Sequence, residues 1–303
     1  MIIRPRENWF RLLFIWNGSV LSSIIPQLCL MAAVSTLAVF THGRIFGEKI
    51  PLNTAPFTLF GVTLAIFLAF RNNTSYERFN EARRLWGSLL IASRSLTSQM
   101  LCYLSGQQDA FRITHKIIAF VYALKHELRG TDPSVDFQRL LGDEEAKILI
   151  GKIYKPMSLL GEIRRELSEL NRKVGTSDTK LWMFDAQIDE MGKLLGGCER
   201  IASTPIPFSY NVLLHRTVYS YCILLPFGLV DSTEFFTPLL CVFISYTLIA
   251  LEAIASEVAE PFSVAPNALA LDAMSRNIER SLLELCGYPV PDSTKPIRPY
   301  IFT

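Results

Sequence analysis

From Leu12 to Thr41 the chain runs for 30 residues without an Asp, Glu, Lys, Arg or His. A bilayer core needs about 20 apolar residues of helix, so this stretch is long enough to cross one, and its middle, Val20 to Phe40, is the expected first span. A second uncharged run, Pro51 to Phe70, stops abruptly at Arg71 and is the expected second span. Two shorter runs follow far downstream, Thr217 to Val230 and Phe235 to Leu251, bounded by Arg216, Asp231, Glu234 and Glu252. With Asp231-Ser232-Thr233-Glu234 as the turn between them, they read as a transmembrane hairpin. A buried hairpin in a soluble core would show a polar stripe.

Half of the residues are hydrophobic and mean hydropathy is +0.27, which argues against an entirely water-soluble enzyme. Thirty Lys and Arg against 28 Asp and Glu leave a formal charge of +2, with no basic excess to hold a nucleic acid. The amino-terminal apolar run is about twice as long as the h-region of a cleaved signal peptide, roughly 7 to 15 residues. Four spans return both termini to one side. Arg4, Arg6, Arg11, Arg71, Arg78, Arg83 and Arg84 share that side, while Arg44, Lys49, Asp231 and Glu234 lie opposite. The positive-inside rule then places both termini and the middle region in the cytosol.

The region from Asn72 to about Tyr210 reads as helix throughout. Tyr76 to Leu104 carries Phe79, Leu85, Trp86, Leu89, Leu90 and Ile91 at helical spacing, with Glu81 and Arg84 as a supporting i, i+3 pair. The segment Arg129-Gly130-Thr131-Asp132-Pro133 predicts a turn with Ser134 as the next N-cap. Further helices are expected over Asp143 to Ile153, Met157 to Asn171 and Asp178 to Arg200, separated by Lys155-Pro156 and Val174-Gly175-Thr176-Ser177. No alternation argues for a sheet, so the fold class is all-α. The expected division is 1–71 with the first hairpin, 72–210 helical and cytosolic, 211–256 with the second hairpin, and 257–303 cytosolic.

Six cysteines show no paired spacing, and His42, His115, His126 and His215 show no metal-ligand spacing. No hydrolase, nucleotide-binding or metalloprotease motif occurs, and no ionisable cluster lies at membrane depth. The sequence therefore predicts no catalytic residue, no metal and no cofactor. In the second span Val62, Ile66 and Phe70 recur every four residues and stack on one helix face. Repeated around an oligomer axis, such a face makes a constriction that gates by dewetting. Nearly every position from Phe57 to Phe70 is apolar, so spacing alone does not separate a pore face from a lipid face.

Ile3-Arg4-Pro5-Arg6, Trp9-Phe10-Arg11-Leu12, Trp16 and Gly18-Ser19-Val20-Leu21 resemble the amino terminus of bacterial bestrophin homologues. The run from Arg71-Asn72-Asn73-Thr74-Ser75-Tyr76-Glu77-Arg78 to Leu85-Trp86-Gly87 is similar to the signature following their second span. Glu260-Pro261-Phe262 and Leu269-Ala270-Leu271-Asp272 resemble a third segment, and the likeness covers nearly the whole chain. The resemblance implies a homopentamer around an axial pore, four membrane helices per subunit, and monovalent ions as the conducted species. It implies a hydrophobic neck at Val62, Ile66 and Phe70, and a second, cytosolic aperture near Leu181 to Phe184.

Animal members resemble calcium binders through an acidic run after Pro-Phe-Gly. Here Ser263-Val264-Ala265-Pro266-Asn267-Ala268 follows Pro261-Phe262 and holds no carboxylate, so calcium gating of that kind is not expected and a capped turn packing between subunits is. Likeness to the bacterial branch, with Glu48, Asp231 and Glu234 near the outer mouth, favours cations over anions. Arg71 either follows from membrane topology or influences permeating ions. Asn72 and Asn73 either line an inner vestibule or cap backbone. The expected location is a bacterial inner membrane. The competing reading is a membrane-anchored helical interaction or signalling protein without transport activity.

Overall fold

The computed structural model describes residues 1–4, 8–12, 14–16, 18–45, 48–49, 54–104, 106–174 and 178–303. Arg6, Pro51 and the linker Gly175-Thr176-Ser177 lie outside these residues, as does the side chain of Glu48. Eleven helices follow one another among the described residues: α1 (Trp9–Leu12), α2 (Leu21–Phe40), α3 (Thr54–Tyr103), α4 (Gln107–Arg129), α5 (Ser134–Leu141), α6 (Asp143–Ile150), α7 (Lys155–Val174), α8 (Asp178–Ser203), α9 (Phe208–Thr233), α10 (Thr237–Ala259) and α11 (Leu271–Leu285). A two-residue antiparallel ladder, β1 (Arg44–Ile45) with β2 (Glu48–Lys49), links α2 to α3 in this otherwise helical chain.

The chain packs as two compact units, one of residues 4–79 and 205–260, the other of residues 1–3, 80–204 and 261–303. The boundary expected at Arg71, where charge begins, is not a helix end. A charge marks the edge of the apolar layer without interrupting the backbone hydrogen bonds of α3, which continues to Tyr103.

In the first unit α2 packs on α9 and α10, and α9 on α10. Ile24 and Met31 of α2, Leu64 and Leu68 of α3, Val218, Tyr221, Cys222 and Leu225 of α9, and Cys241 and Ile249 of α10 fill its core. Gly61 and Gly228 permit close approach: a Cβ at Gly61 would stand 2.7 Å from the Tyr221 hydroxyl, and one at Gly228 3.0 Å from the Phe57 ring. Among the described residues, three helical stretches are long and apolar enough to cross a bilayer: Leu21–Phe40, Ala55–Tyr103 and Phe208–Ala259. A 3-10 turn, Glu234–Phe236, divides the last into α9 and α10. The expected turn at Asp231-Ser232-Thr233-Glu234 is thus displaced toward the carboxyl end. Ser232 and Thr233 donate their hydroxyls back to the Leu229 carbonyl and keep the backbone helical through Thr233.

In the second unit α4 is the hub, packing on α5, α7, α8 and α11. Its Ile113, Ile117, Phe120 and Leu124 are fully buried. α4 ends at Gly130, whose φ of 62° supplies the left-handed cap, with Thr131 N–H donating to the His126 carbonyl. Ser134 is the first residue of α5 and not its cap. Asp132 accepts from both the Ser134 amide (3.1 Å) and its hydroxyl (2.6 Å), satisfying an orphan donor of the first turn. Glu81 pairs with Arg200 of α8 and not with Arg84. Of the expected apolar stripe, Trp86 and Leu89 are buried while Ile91 is exposed.

The expected helix limits also move. α6 stops at Ile150, and Lys155 and Pro156 open α7 instead of separating it from its neighbour. Proline is tolerated there because a first-turn N–H has no helical partner.

The two ends of the chain meet in this second unit. Ile2 bridges Ile301, Ile3 N–H donates to the Tyr300 carbonyl and Phe302 N–H to that of Met1.

The candidate permeation face

α3 buries one narrow stripe, half-buries Phe57 and Gly61, and exposes most of the rest of its membrane half. Leu64, Leu68, Arg71 and Ser75, three or four residues apart, are buried. At 3.6 residues per turn, Leu64 and Leu68 lie about 160° around the helix from Ile66. Val62, Ile66 and Phe70 are exposed by 55, 52 and 63% and share the face opposite the buried stripe. Leu59 and Phe67 are exposed too, so the apolar surface of α3 is wider than these three side chains.

The same face continues beyond the apolar run. Seven and eleven residues after Ile66, two and three turns on, come Asn73 and Glu77, both exposed. The two asparagines therefore separate: Asn72 donates to the Leu68 carbonyl at 3.0 Å, while Asn73 stands on the Ile66 face. Thr63 and Thr74 bond back to the carbonyls of Leu59 and Phe70, which satisfies their hydroxyls without any external partner.

Arg71 does not belong to that face. Its side chain is 2% exposed and its Nη1 donates to Glu252 Oε1 of α10 at 3.1 Å, the carboxylate also lying 3.8 Å from His215 Nδ1. Arg71 Nε has no partner among the described residues. An influence of Arg71 on permeating ions has no support in the geometry, because the charge points into the helix bundle. Sequence reasoning missed Glu252 as its partner. The available signal was a lone carboxylate ending the last uncharged run, opposite a lone arginine ending the second.

At the other end of α9, Asp231 and Glu234 border a cavity with His42, Val39 and Phe235. Within the second unit, Leu181 to Phe184 divide by environment: Phe184 is in the core, Leu181 and Met183 are half-buried, and Trp182 is exposed. The Pro261–Leu269 turn is held within its own unit, where Arg129 donates to the carbonyls of Phe262 and Leu269 and, at 2.7 Å, to Asp272.

A family model described as Bacterial/Fungal Bestrophin protein matches residues 1–284. The chain belongs to the bestrophin family. This bestrophin chain is 40% identical over 292 residues, 95% of each chain, to a voltage-dependent anion channel-forming protein of Ralstonia nicotianae. It is 39% identical over the full length of both chains to the voltage-dependent anion channel-forming protein YneE of Escherichia coli. The crystal structure of a bacterial bestrophin homolog from Klebsiella pneumoniae superposes with a TM-score of 0.85 at 41% identity, covering 88% of this chain and 99% of that one. Family and apolar helices together make this a membrane protein.

Proposed function

We propose that the chain forms an ion channel whose hydrophobic neck is the Val62, Ile66 and Phe70 face of α3. The observation that carries this reading is the exposure of that face directly opposite the stripe α3 buries in its own unit. A face of α3 that its own unit leaves uncovered is available to line an axis, and five copies around it close a ring in the homopentamer we propose. The name shared by the relatives in Ralstonia and Escherichia supports a channel, and lipid is the surrounding medium. Four spans per subunit follow from counting α9 and α10 separately. Both ends of the chain meet in one unit, which fits an even number of crossings, with the arginine-rich side cytosolic and a bacterial inner membrane as the location.

An apolar ring has no charge preference, so the sign of the permeating monovalent ion is set by flanking groups. Glu77 on the neck face, and Asp231 and Glu234 at the far end of α9, favour cations. The names of the relatives favour anions, and this is the second reading. Flux of sodium against chloride through the purified protein in liposomes separates them, with Ile66→Ala beside the parent. Conduction by the parent, with increased flux in the variant, is the expected outcome. A folded oligomer that passes neither ion at any pH or calcium level overturns the channel and favours an anchored interaction protein.

A further inference from the structure

Before α2 begins, the chain exposes a run of large apolar side chains that no described residue covers. Trp9, Phe10, Leu12, Phe14 and Trp16 are all more than half exposed, with Trp9 at 72% and Phe14 at 74%. They are grouped, not scattered. The rings of Trp9 and Phe10 stand 5.7 Å apart and those of Phe10 and Phe14 5.4 Å, both edge-on. Exposed Arg11 sits among them, and between Glu7 and Glu48 the sequence contains no carboxylate.

We infer that the Trp9–Trp16 segment is an interfacial anchor that lies in the headgroup layer of the bilayer, with Arg11 toward lipid phosphate. Contiguous exposed apolar surface of this size marks an interaction site. Its tether identifies the occupant. Trp16 lies five positions before Leu21, the first residue of a bilayer-length helix, and a chain extends by at most about 3.6 Å per residue. Trp16 therefore stands no more than roughly 18 Å from the start of that helix, which ties the near end of the cluster to the edge of the bilayer, where the headgroup layer is about 5–8 Å thick on each side.

Indole and phenyl rings are favoured at that level, where one part of the side chain meets hydrocarbon and the other meets polar headgroups. A guanidinium between aromatic residues suits an anionic lipid surface. The inference requires a membrane protein but not the neck, so it stands or falls independently of conduction.

Tryptophan fluorescence of the full chain in phosphatidylcholine–phosphatidylglycerol vesicles tests it. Trp182→Phe removes the exposed tryptophan of the second unit, and Trp86 is buried, so Trp9 and Trp16 dominate contact with any quencher. Phosphatidylcholine brominated near the headgroup is expected to quench this variant more than lipid brominated deep in the chain. Adding Trp9→Phe and Trp16→Phe, each of which keeps an aromatic ring, is expected to abolish that difference. Arg11→Gln is expected to weaken the dependence of quenching on phosphatidylglycerol. Quenching by aqueous iodide in place of bromolipid would show a water-facing segment and overturn the inference. Protection from both quenchers would show that a second copy covers the segment, and would overturn it equally.

Discussion

The two units treat charge and apolar surface in opposite ways. The unit of residues 4–79 and 205–260 leaves Phe40, Phe235, Leu239 and Phe243 largely exposed, and the charged residue it buries among the described ones is Arg71. The other unit buries a continuous apolar core along α4 and a dense charge cluster beside it. There Glu279, 1% exposed, accepts from the Tyr122 hydroxyl at 2.6 Å and pairs with Arg139 and Arg276, while Lys116 meets Glu145, Glu162 and Glu166. In water an exposed phenylalanine face is unfavourable; in hydrocarbon it is the stable arrangement, and a lone buried charge becomes the expensive element. The buried charge cluster of the second unit and the single buried charge of the first are what an aqueous surrounding for the one and an apolar surrounding for the other would produce.

Removing the carboxylate from each buried cluster is the strongest way to break that contrast. Glu279→Ala leaves two guanidinium groups and a buried hydroxyl without their acceptor and is expected to cost about 3–5 kcal/mol, read from chemical unfolding of the purified protein. Retention of the parent midpoint would mean that the cluster is hydrated in solution. Glu252→Ala orphans a single arginine and is expected to cost somewhat less, about 3 kcal/mol. Replacing both partners, as Arg71→Met with Glu252→Leu, is expected to recover most of that loss, because neither charge is then desolvated. If the double variant is as unstable as the single one, the pair has a role beyond mutual neutralisation.

These two clusters also mark the limit of what the sequence reveals. The uncharged runs locate α2 and the membrane half of α3, since a gap in charge of about 20 residues is the length a helix needs to cross hydrocarbon. The proposed neck positions, Val62, Ile66 and Phe70, were legible as a repeat but not as a distinct face, because nearly every position from Phe57 to Phe70 is apolar; the buried stripe of Leu64, Leu68, Arg71 and Ser75 distinguishes one side. Helix ends were misread wherever polar side chains bond locally, as Ser232 and Thr233 do within α9 and Asp132 does before α5. Arg71 and Glu252 lie 181 positions apart; each ends an uncharged run, and that shared position is a signal seen only when the two distant runs are compared with each other.

Gly61 sharpens the comparison at lower cost. In the apolar unit α3 and α9 approach through an absent side chain, and Ala at position 61 would meet the Tyr221 hydroxyl at 2.7 Å. Gly61→Ala is expected to destabilise by about 1–3 kcal/mol through overpacking, visible as a lower Tm in detergent. Combining it with Tyr221→Phe removes the clashing oxygen and should restore part of the loss. Additive effects in the pair would place the two residues out of contact.

The smallest effect belongs to the aqueous unit alone and is read through pH. Burial pushes the Asp136 carboxyl upward, but the hydrogen bond to His126 Nε2 at 2.9 Å, with Lys125 and Arg139 close by, outweighs it and holds the group at about 2. An unfolded aspartate titrates near about 3.9, so the folded state prefers the ionised form. The resulting stability is complete above about pH 5 and is lost as pH falls from about 4 toward 2, amounting to roughly 1–2 kcal/mol. Asp136→Asn should therefore lower stability at neutral pH by that amount and flatten the acid limb of the unfolding curve. Asp272 and Glu279 are also held below their ordinary values, so part of the acid limb remains in the variant. An acid limb in Asp136→Asn that superimposes on the parent's would show that the contacts from His126, Lys125 and Arg139 do not hold this carboxylate in solution, and the aqueous unit's charge cluster would then be confined to Glu279 and Lys116 with their partners.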